Sequence, residues 1–133
     1  MEEERAEIPQ VDDISEELNN NTSEMLKLAT LYCEARKNYA KCFNKITVMV
    51  YKAGLHKSSA AFENKIPMLF AVEEFSDLAI DTFSRMTEFQ QEYKGLEWVL
   101  KAYEKKISAI QSVIKFMQQG EMNEAMKNKY GMY

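Results

Sequence analysis

The residue types that most often do chemistry are few in this chain and stand apart from one another. His56 is the only histidine among the 133 residues, and no nucleophile or carboxylate lies beside it at catalytic-site spacing. The sequence contains no Gly-rich phosphate loop, no Glu-x-x-His pair and no Cys-x-x-Cys motif. We therefore expect a protein that is not an enzyme and that holds neither a cofactor nor a metal ion.

Two cysteines and one acidic cluster are the remaining candidates for a chemical site. Cys33 and Cys42 are separated by about 13 Å along a helix, whereas a disulfide needs Cα atoms within about 7 Å. We expect both to be small buried hydrophobic residues in a reducing compartment. Helical di-metal sites require two Glu-x-x-His pairs, and this chain has one histidine. The acidic cluster is therefore interpreted as a surface that faces solvent or a basic partner. Its residues are Glu73, Glu74, Asp77 and Asp81.

Basic residues concentrate in one segment, although the whole chain has a net charge of −4. Residues 25–57 carry seven Lys and Arg against Glu34, a net charge of +6, whereas residues 1–24 carry nine acids against Arg5. Like charges at four-residue spacing repel on a helix, so an anion should compensate them. Either nucleic acid does so, or the chain's own acids do, in the N-terminal arm or at positions 73–81. The candidate residues for binding nucleic acid are Arg36, Lys37, Lys41, Lys45, Lys52 and Lys57.

The elements that position these residues are two helices with heptad-spaced apolar seams. Steps of three and four alternate in both seams without a slip, which is typical of helices that pack on each other. We predict an all-α fold of two long heptad-patterned helices packed antiparallel, with one or two short helices, as in a helical bundle or coiled coil. The first seam contains Met25, Leu28, Tyr32, Ala35, Tyr39, Cys42, Ile46 and Met49. The second contains Phe75, Ala79, Thr82, Met86, Phe89, Tyr93, Leu96, Leu100, Tyr103, Ile107, Ile110, Ile114 and Met117.

Capping and helix-breaking residues predict where these helices begin and end. Asn21 and Glu24 have the spacing of a capping box, so the first helix should start there. Gly54 is suited to a left-handed cap that ends it. A proline in a helix interior removes a hydrogen bond, so a break is expected at Lys65–Ile66, with a new first turn at Pro67.

The predicted organisation has three parts. Residues 1–21 are expected to form an acidic N-terminal arm, residues 22–119 a helical bundle domain and residues 120–133 a C-terminal tail. Gly120 is the expected stop of the second long helix. Gly95 leaves two alternatives, one continuous helix or two helices that meet there, and the unbroken seam favours the continuous helix.

The apolar stripe is wider than a two-stranded coiled coil needs. Either the bundle completes itself by forming a homo-oligomer, or it closes as a monomeric bundle of three or four helices. No stretch of about 18 apolar residues occurs, and the acidic start differs from a signal peptide. These features indicate a cytoplasmic protein that does not bind a membrane.

A short acidic start, a basic helix and a long helix containing Tyr93-Lys94-Gly95-Leu96-Glu97 resemble the layout of phage recombination mediators of the UvsY type. Those helical proteins oligomerise, bind single-stranded DNA and help to load a recombinase onto strands coated by single-strand-binding protein. The resemblance spans residues 25–118 and rests on layout. It implies a non-enzymatic DNA-recombination accessory in a bacterial host cytoplasm, with single-stranded DNA and a recombinase or single-strand-binding protein as partners. The alternative is a protein-interaction module, a small inhibitor or adaptor, that binds no nucleic acid.

Overall fold

The computed structural model describes the backbone of residues 11–130 and the side chains of residues 12–124. Within these residues the regular elements are helices: α1 at Val11–Lys52, a 3₁₀ helix at Leu55–Lys57, α2 at Phe62–Phe70 and α3 at Ser76–Tyr130. The long helices α1 and α3 pack against each other, which confirms the predicted all-α fold. The first ten residues of the predicted acidic arm lie outside the described part.

The described residues form two compact units, and each contains one segment of α1 and one of α3. Unit 1 contains the described residues up to Leu28 together with those from Val99 onwards. Unit 2 is Ala29–Trp98, which includes the 3₁₀ helix and α2. A search of the described residues finds no helix with the length and apolar character needed to cross a membrane.

The core of unit 2 follows the predicted seams. Ile46, Leu69 and Ala79 are fully buried, and each comes from a different helix. Burial of this kind contributes roughly 1.5–3 kcal/mol for each large aliphatic side chain. The other buried members of the cluster are Cys42, Met49, Val50, Ile66 and Met86.

Helix α2 covers one flank of the α1–α3 pair in unit 2. The ring centroids of Phe43 and Phe62 are 5.0 Å apart, and those of Phe70 and Phe83 are 5.6 Å apart. With Met25 and Ala79 at heptad position a, Phe43 on α1 and Phe83 on α3 both occupy position e. Position e therefore marks the flank that α2 covers, and position g marks the opposite flank.

The seam of α1 extends further towards the N-terminus than the sequence predicted. In unit 1, Ile14, Asn21 and Ile110 are buried. The Nδ2 group of Asn21 donates a hydrogen bond of 2.7 Å to the carbonyl of Glu17. Asn21 is thus a buried polar residue of the seam, and its amide is satisfied within the same helix.

The predicted start of the first helix at Asn21 is wrong, because α1 begins at Val11. An N-cap contributes about 1 kcal/mol, whereas burying large aliphatic side chains contributes roughly 1.5–3 kcal/mol each. Leu18 and Ile14 continue the seam upstream with the same alternating spacing. Burial of these side chains therefore stabilises the longer helix by more than an N-cap at Asn21 would stabilise the shorter one. Two aspartates in the first turn also favour this start through the helix dipole.

Two other predicted helix ends are wrong. Helix α3 continues through Gly120, and α2 contains Pro67 in its interior. A helical glycine costs only about 1 kcal/mol relative to alanine, which is too little to stop a helix by itself. In α2, burial of Ile66 and Leu69 offsets the hydrogen bond that the proline removes. The break between α2 and α3 falls instead at residues 71–75.

Two glycine predictions are confirmed. Gly54 adopts a φ of 76°, the left-handed conformation predicted for the residue that follows α1. Gly95 lies inside the continuous helix α3, so the second seam from Ala79 onwards belongs to one helix. The boundaries predicted for the bundle domain, at residues 22 and 119, lie within α1 and α3.

Candidate nucleic-acid interface

A cleft of about 320 Å³ lies between α1 and α3 in unit 2. Lys41 and Lys45 line it from α1, and Arg85 lines it from α3. All three side chains are exposed, so their charged ends can reach a ligand. The structure therefore brings two of the six predicted bases together with a third that the sequence reasoning missed.

The cleft carries an excess of positive charge. Its only acid is Asp81, whose Oδ2 atom lies 3.4 Å from Nε of Arg85 on the same helix. Both partners are largely exposed, so this ion pair is weak and leaves Arg85 able to turn towards an anion. Within the described part of the chain, neither Lys41 nor Lys45 forms an ion pair. Three bases against one acid therefore make the cleft attractive to phosphate or carboxylate.

The floor of the cleft offers a hydroxyl donor. Thr82 is 4% exposed and lines the cleft from the seam of α3. Its hydroxyl makes no hydrogen bond to another described residue, whereas Thr87, on the same helix, donates to the carbonyl four residues earlier. Asn38 adds an amide at the edge of the same cleft. A phosphate oxygen entering between the bases would thus meet neutral donors as well as cations.

The remaining predicted bases lie outside this cleft. Lys37 is exposed on α1, one turn before Lys41, so it extends the basic row along the helix. Lys52 lines a neighbouring groove together with Lys45. Lys57 lies exposed in the 3₁₀ helix and lines neither cavity.

Arg36 occupies the opposite flank, at heptad position e. Its Nη1 group donates a 3.1 Å hydrogen bond to the Tyr32 hydroxyl, and its guanidinium carbon lies 5.8 Å from the Tyr32 ring centroid. That hydrogen bond is the main reason that the pKa of Arg36 is raised above its ordinary value. Arg36 is therefore a charged residue that contacts the rings of Tyr32 and Tyr93, and it does not line the cleft.

Arg85 could have been found from the heptad register. Lys45 on α1 and Arg85 on α3 both occupy position g, and g positions of two antiparallel helices face the same flank. The net charge of each segment did not point to Arg85, because residues 58–97 are acidic as a whole. The sequence pattern predicted Thr82 as a seam residue, and a seam position does not indicate that its hydroxyl can bind a ligand.

The residues considered for other chemistry do not assemble into a site. His56 is exposed and stacks on Tyr51, with ring centroids 4.5 Å apart. Cys42 is buried, as predicted, but Cys33 is exposed, so the prediction that both are buried is wrong for Cys33. This difference follows from the register, since Cys42 lies in the seam and Cys33 faces away from it. In the described part of the chain, no group of His, Cys, Asp and Glu could hold a metal ion.

Comparisons of the chain with protein-family models, with curated proteins and with solved structures return no match. The likeness to phage recombination mediators therefore stays a prediction from layout, and function is inferred from the cleft and its surroundings.

Proposed function

We propose that this chain is a non-enzymatic helical accessory protein that binds single-stranded nucleic acid through the basic cleft of unit 2. One observation carries the proposal: Lys41, Lys45 and Arg85 converge from two helices on one cleft. A single acid lines that cleft beside them. Each phosphate that such bases neutralise releases counterions, which favours binding at low salt.

The row of lysines leading to the cleft suits an extended strand. Lys37, Lys41 and Lys45 follow one another at four-residue intervals, about 6 Å along the helix axis for each step. Successive phosphates of one strand can contact successive lysines, and the phosphate nearest Lys45 can enter the cleft between Lys45 and Arg85. Phosphate contacts of this kind fix the position of a strand without reading its sequence.

Single strands are preferred over duplex for two reasons. The half-buried ring of Phe89 and the exposed side chain of Leu78 line the same cleft, where an unstacked base can contact them. The net charge of −4 for the whole chain disfavours the broad electrostatic contact on which duplex binding depends.

The wider assignment is an accessory of phage DNA recombination that acts in the cytoplasm of a bacterial host. The supporting feature is the layout shared with mediators of the UvsY type over residues 25–118. In that role the chain forms a homo-oligomer and presents single-stranded DNA to a recombinase or to single-strand-binding protein. Exposed apolar side chains on α3 in unit 1 favour self-association, among them Phe116 at 77% exposure.

A second candidate is a protein-interaction module, a small inhibitor or adaptor without affinity for nucleic acid. The observation that favours it is the number of large apolar side chains on the surface of unit 2, including Val48, Met68 and Leu78. Val48 and Leu78 line one groove, and exposed apolar side chains that lie together mark interaction sites.

Fluorescence anisotropy with a labelled single-stranded oligonucleotide tests the proposal. The informative variant is Lys41→Glu with Lys45→Glu, and the matched control is Lys94→Glu with Lys115→Glu, which changes net charge equally at exposed positions outside the cleft. We expect binding at about 50 mM salt that the first variant abolishes and the control weakens only slightly. Absence of binding by the unmodified protein, or equal losses in both variants, would contradict the proposal and favour the interaction module.

A further inference from the structure

A second concave surface in unit 2 is an apolar groove of about 450 Å³ beside the basic cleft. Met49 and Phe75 lie at its base, and Val48 and Leu78 line it from α1 and α3. Val48 is 50% exposed and Leu78 is 57% exposed, so both present apolar surface to solvent. Aliphatic side chains left open in a groove are stabilised when another apolar surface covers them.

The opposite flank shows what kind of element fits a groove between these helices. There α2 lies against α1 and α3, and it contributes Phe62, Ile66 and Leu69 to the core at steps of four and three residues. The pair of long helices thus accepts a short amphipathic helix of two or three turns on its e flank. Apart from Phe75, which immediately precedes α3, the described residues that line the groove on the g flank all belong to α1 or α3.

The rim of the groove is basic. Lys45 and Lys52 both line it and both occupy position g, seven residues or about 10.5 Å apart along α1. Neither lysine forms an ion pair with any residue that the structure describes. An occupant with carboxylates two helical turns apart would satisfy both charges while its apolar face covers Val48 and Leu78.

We propose that this groove docks an acidic amphipathic helix of a protein partner. The helix presents apolar anchors at positions i, i+3 or i+4, and i+7 to the groove, and carboxylates along its edge to Lys45 and Lys52. Charge complementarity selects the acidic helix. The exposed side chains of the groove, Val48 and Leu78, are aliphatic, and the ring of Phe75 is half-buried, so the groove suits the apolar face of a helix better than a stacked base. The inference does not depend on nucleic-acid binding at the neighbouring cleft.

Three labelled peptides of equal length test the docking proposal by anisotropy with the full chain. The first carries leucines at helical spacing flanked by glutamates, the second replaces the glutamates by lysines, and the third replaces the leucines by serines. We expect saturable binding of the first peptide only. Binding of the lysine peptide with equal affinity, or no binding of the glutamate peptide, overturns the proposal.

Variants of the groove locate the binding. Leu78→Glu should weaken the glutamate peptide at least about tenfold, as should Lys45→Glu with Lys52→Glu. The matched control is Ile80→Glu on the same helix, where the side chain is 51% exposed and does not line the groove. Because Leu78 is largely exposed, its replacement should leave the helical circular dichroism spectrum unchanged. Retention of peptide affinity by Leu78→Glu overturns the proposal.

Two parallel measurements identify other occupants. Val48 lines the groove and not the cleft, so Val48→Glu tests the groove alone. If Val48→Glu weakens a single-stranded oligonucleotide as strongly as it weakens the peptide, the groove belongs to the nucleic-acid site and the docking proposal fails. If light scattering shows an oligomer that Leu78→Glu dissociates without peptide, a second copy of the chain covers the groove, and the proposal fails as well. Loss of oligonucleotide binding in Lys41→Glu alone, with peptide binding intact, separates the two sites.

Discussion

The guanidinium carbon of Arg36 on α1 lies 5.4 Å from the centroid of the Tyr93 ring on α3. The ring of Tyr93 also meets Tyr32 and Tyr39 edge to face, at centroid distances of 6.1 and 5.4 Å. One cation and three rings therefore join the two long helices at this level of unit 2. A residue whose charge suggested nucleic-acid binding is placed by the fold in a contact between helices.

Replacement of Arg36 should affect stability more than nucleic-acid affinity. We expect Arg36→Lys to lower the thermal unfolding midpoint, because lysine loses the planar contact with the rings and the geometry of the bond to Tyr32. Oligonucleotide affinity should stay within about twofold of the unmodified protein. Lys37→Ala, the adjacent exposed base, should show the reverse pattern. Equal loss of affinity in both variants would place Arg36 in the nucleic-acid interface after all.

The contribution of Arg36 to stability should not vary with pH in the ordinary range. Its pKa is raised in the folded protein, chiefly by the hydrogen bond to Tyr32. A raised pKa gives stabilisation that is complete below the unfolded-state pKa and is lost only as pH rises through the folded-state pKa. The midpoint difference between the unmodified protein and Arg36→Lys should therefore be constant from about pH 6 to pH 9. A difference that changes across this range would contradict the assigned cause.

The core of unit 2 should depend strongly on Ile46. This side chain is fully buried between the long helices, so Ile46→Ala should lower the free energy of unfolding by about 2–5 kcal/mol. The control is Val48→Ala, two residues away on the exposed side, which should change it by less than about 0.5 kcal/mol. Urea denaturation followed by circular dichroism measures both. Similar effects of the two substitutions would show that the register of α1 differs from the one described.

Two glycines should respond to alanine in opposite directions. Gly95 lies inside α3 with open space around an added Cβ, so Gly95→Ala should stabilise the protein by about 0.5–1 kcal/mol. Gly54 has a φ of 76°, which alanine adopts only with strain, so Gly54→Ala should destabilise it by about 1 kcal/mol. A loss of stability in Gly95→Ala would indicate that α3 is interrupted at that position.

Asn21 distinguishes the capping interpretation from the buried one. As a seam residue of unit 1, it should be replaceable by leucine with a gain of about 1 kcal/mol in the free energy of unfolding, because apolar surface replaces a buried amide. An N-cap residue would instead lose about 1 kcal/mol on the same substitution. Chemical denaturation of Asn21→Leu, compared with exposed Asn20→Leu, gives the sign of the change.

The sequence was sufficient for the seams and insufficient for the helix ends. Residues such as Ile46 and Met86 recur at alternating steps, and many small burial contributions add along a helix, so this pattern identifies the elements reliably. The signals at Asn21, Pro67 and Gly120 are single-residue effects of about 1–3 kcal/mol, and the burial of neighbouring seam residues outweighed them.

Composition and charge predicted the candidate site on one helix only. The basic row of α1 follows from composition and spacing, but the cleft also needs Arg85 and Thr82 on α3. To place those residues beside Lys45, one needs the register between the two antiparallel helices. Charge counting along the chain cannot supply that register, because Arg85 lies in an acidic segment and Thr82 is apolar in its pattern.

The salt dependence of single-stranded oligonucleotide affinity tests the central claim most directly. For the unmodified protein we expect the logarithm of affinity to fall linearly with the logarithm of salt concentration, by about 0.7 for each phosphate contacted. Lys41→Ala with Arg85→Ala removes two cleft contacts, so the slope should shrink by about 1.4, while Lys94→Ala with Lys115→Ala should leave it nearly unchanged. An affinity that is absent at low salt, or a slope that the cleft variant does not alter, would contradict the assignment of the cleft to nucleic acid.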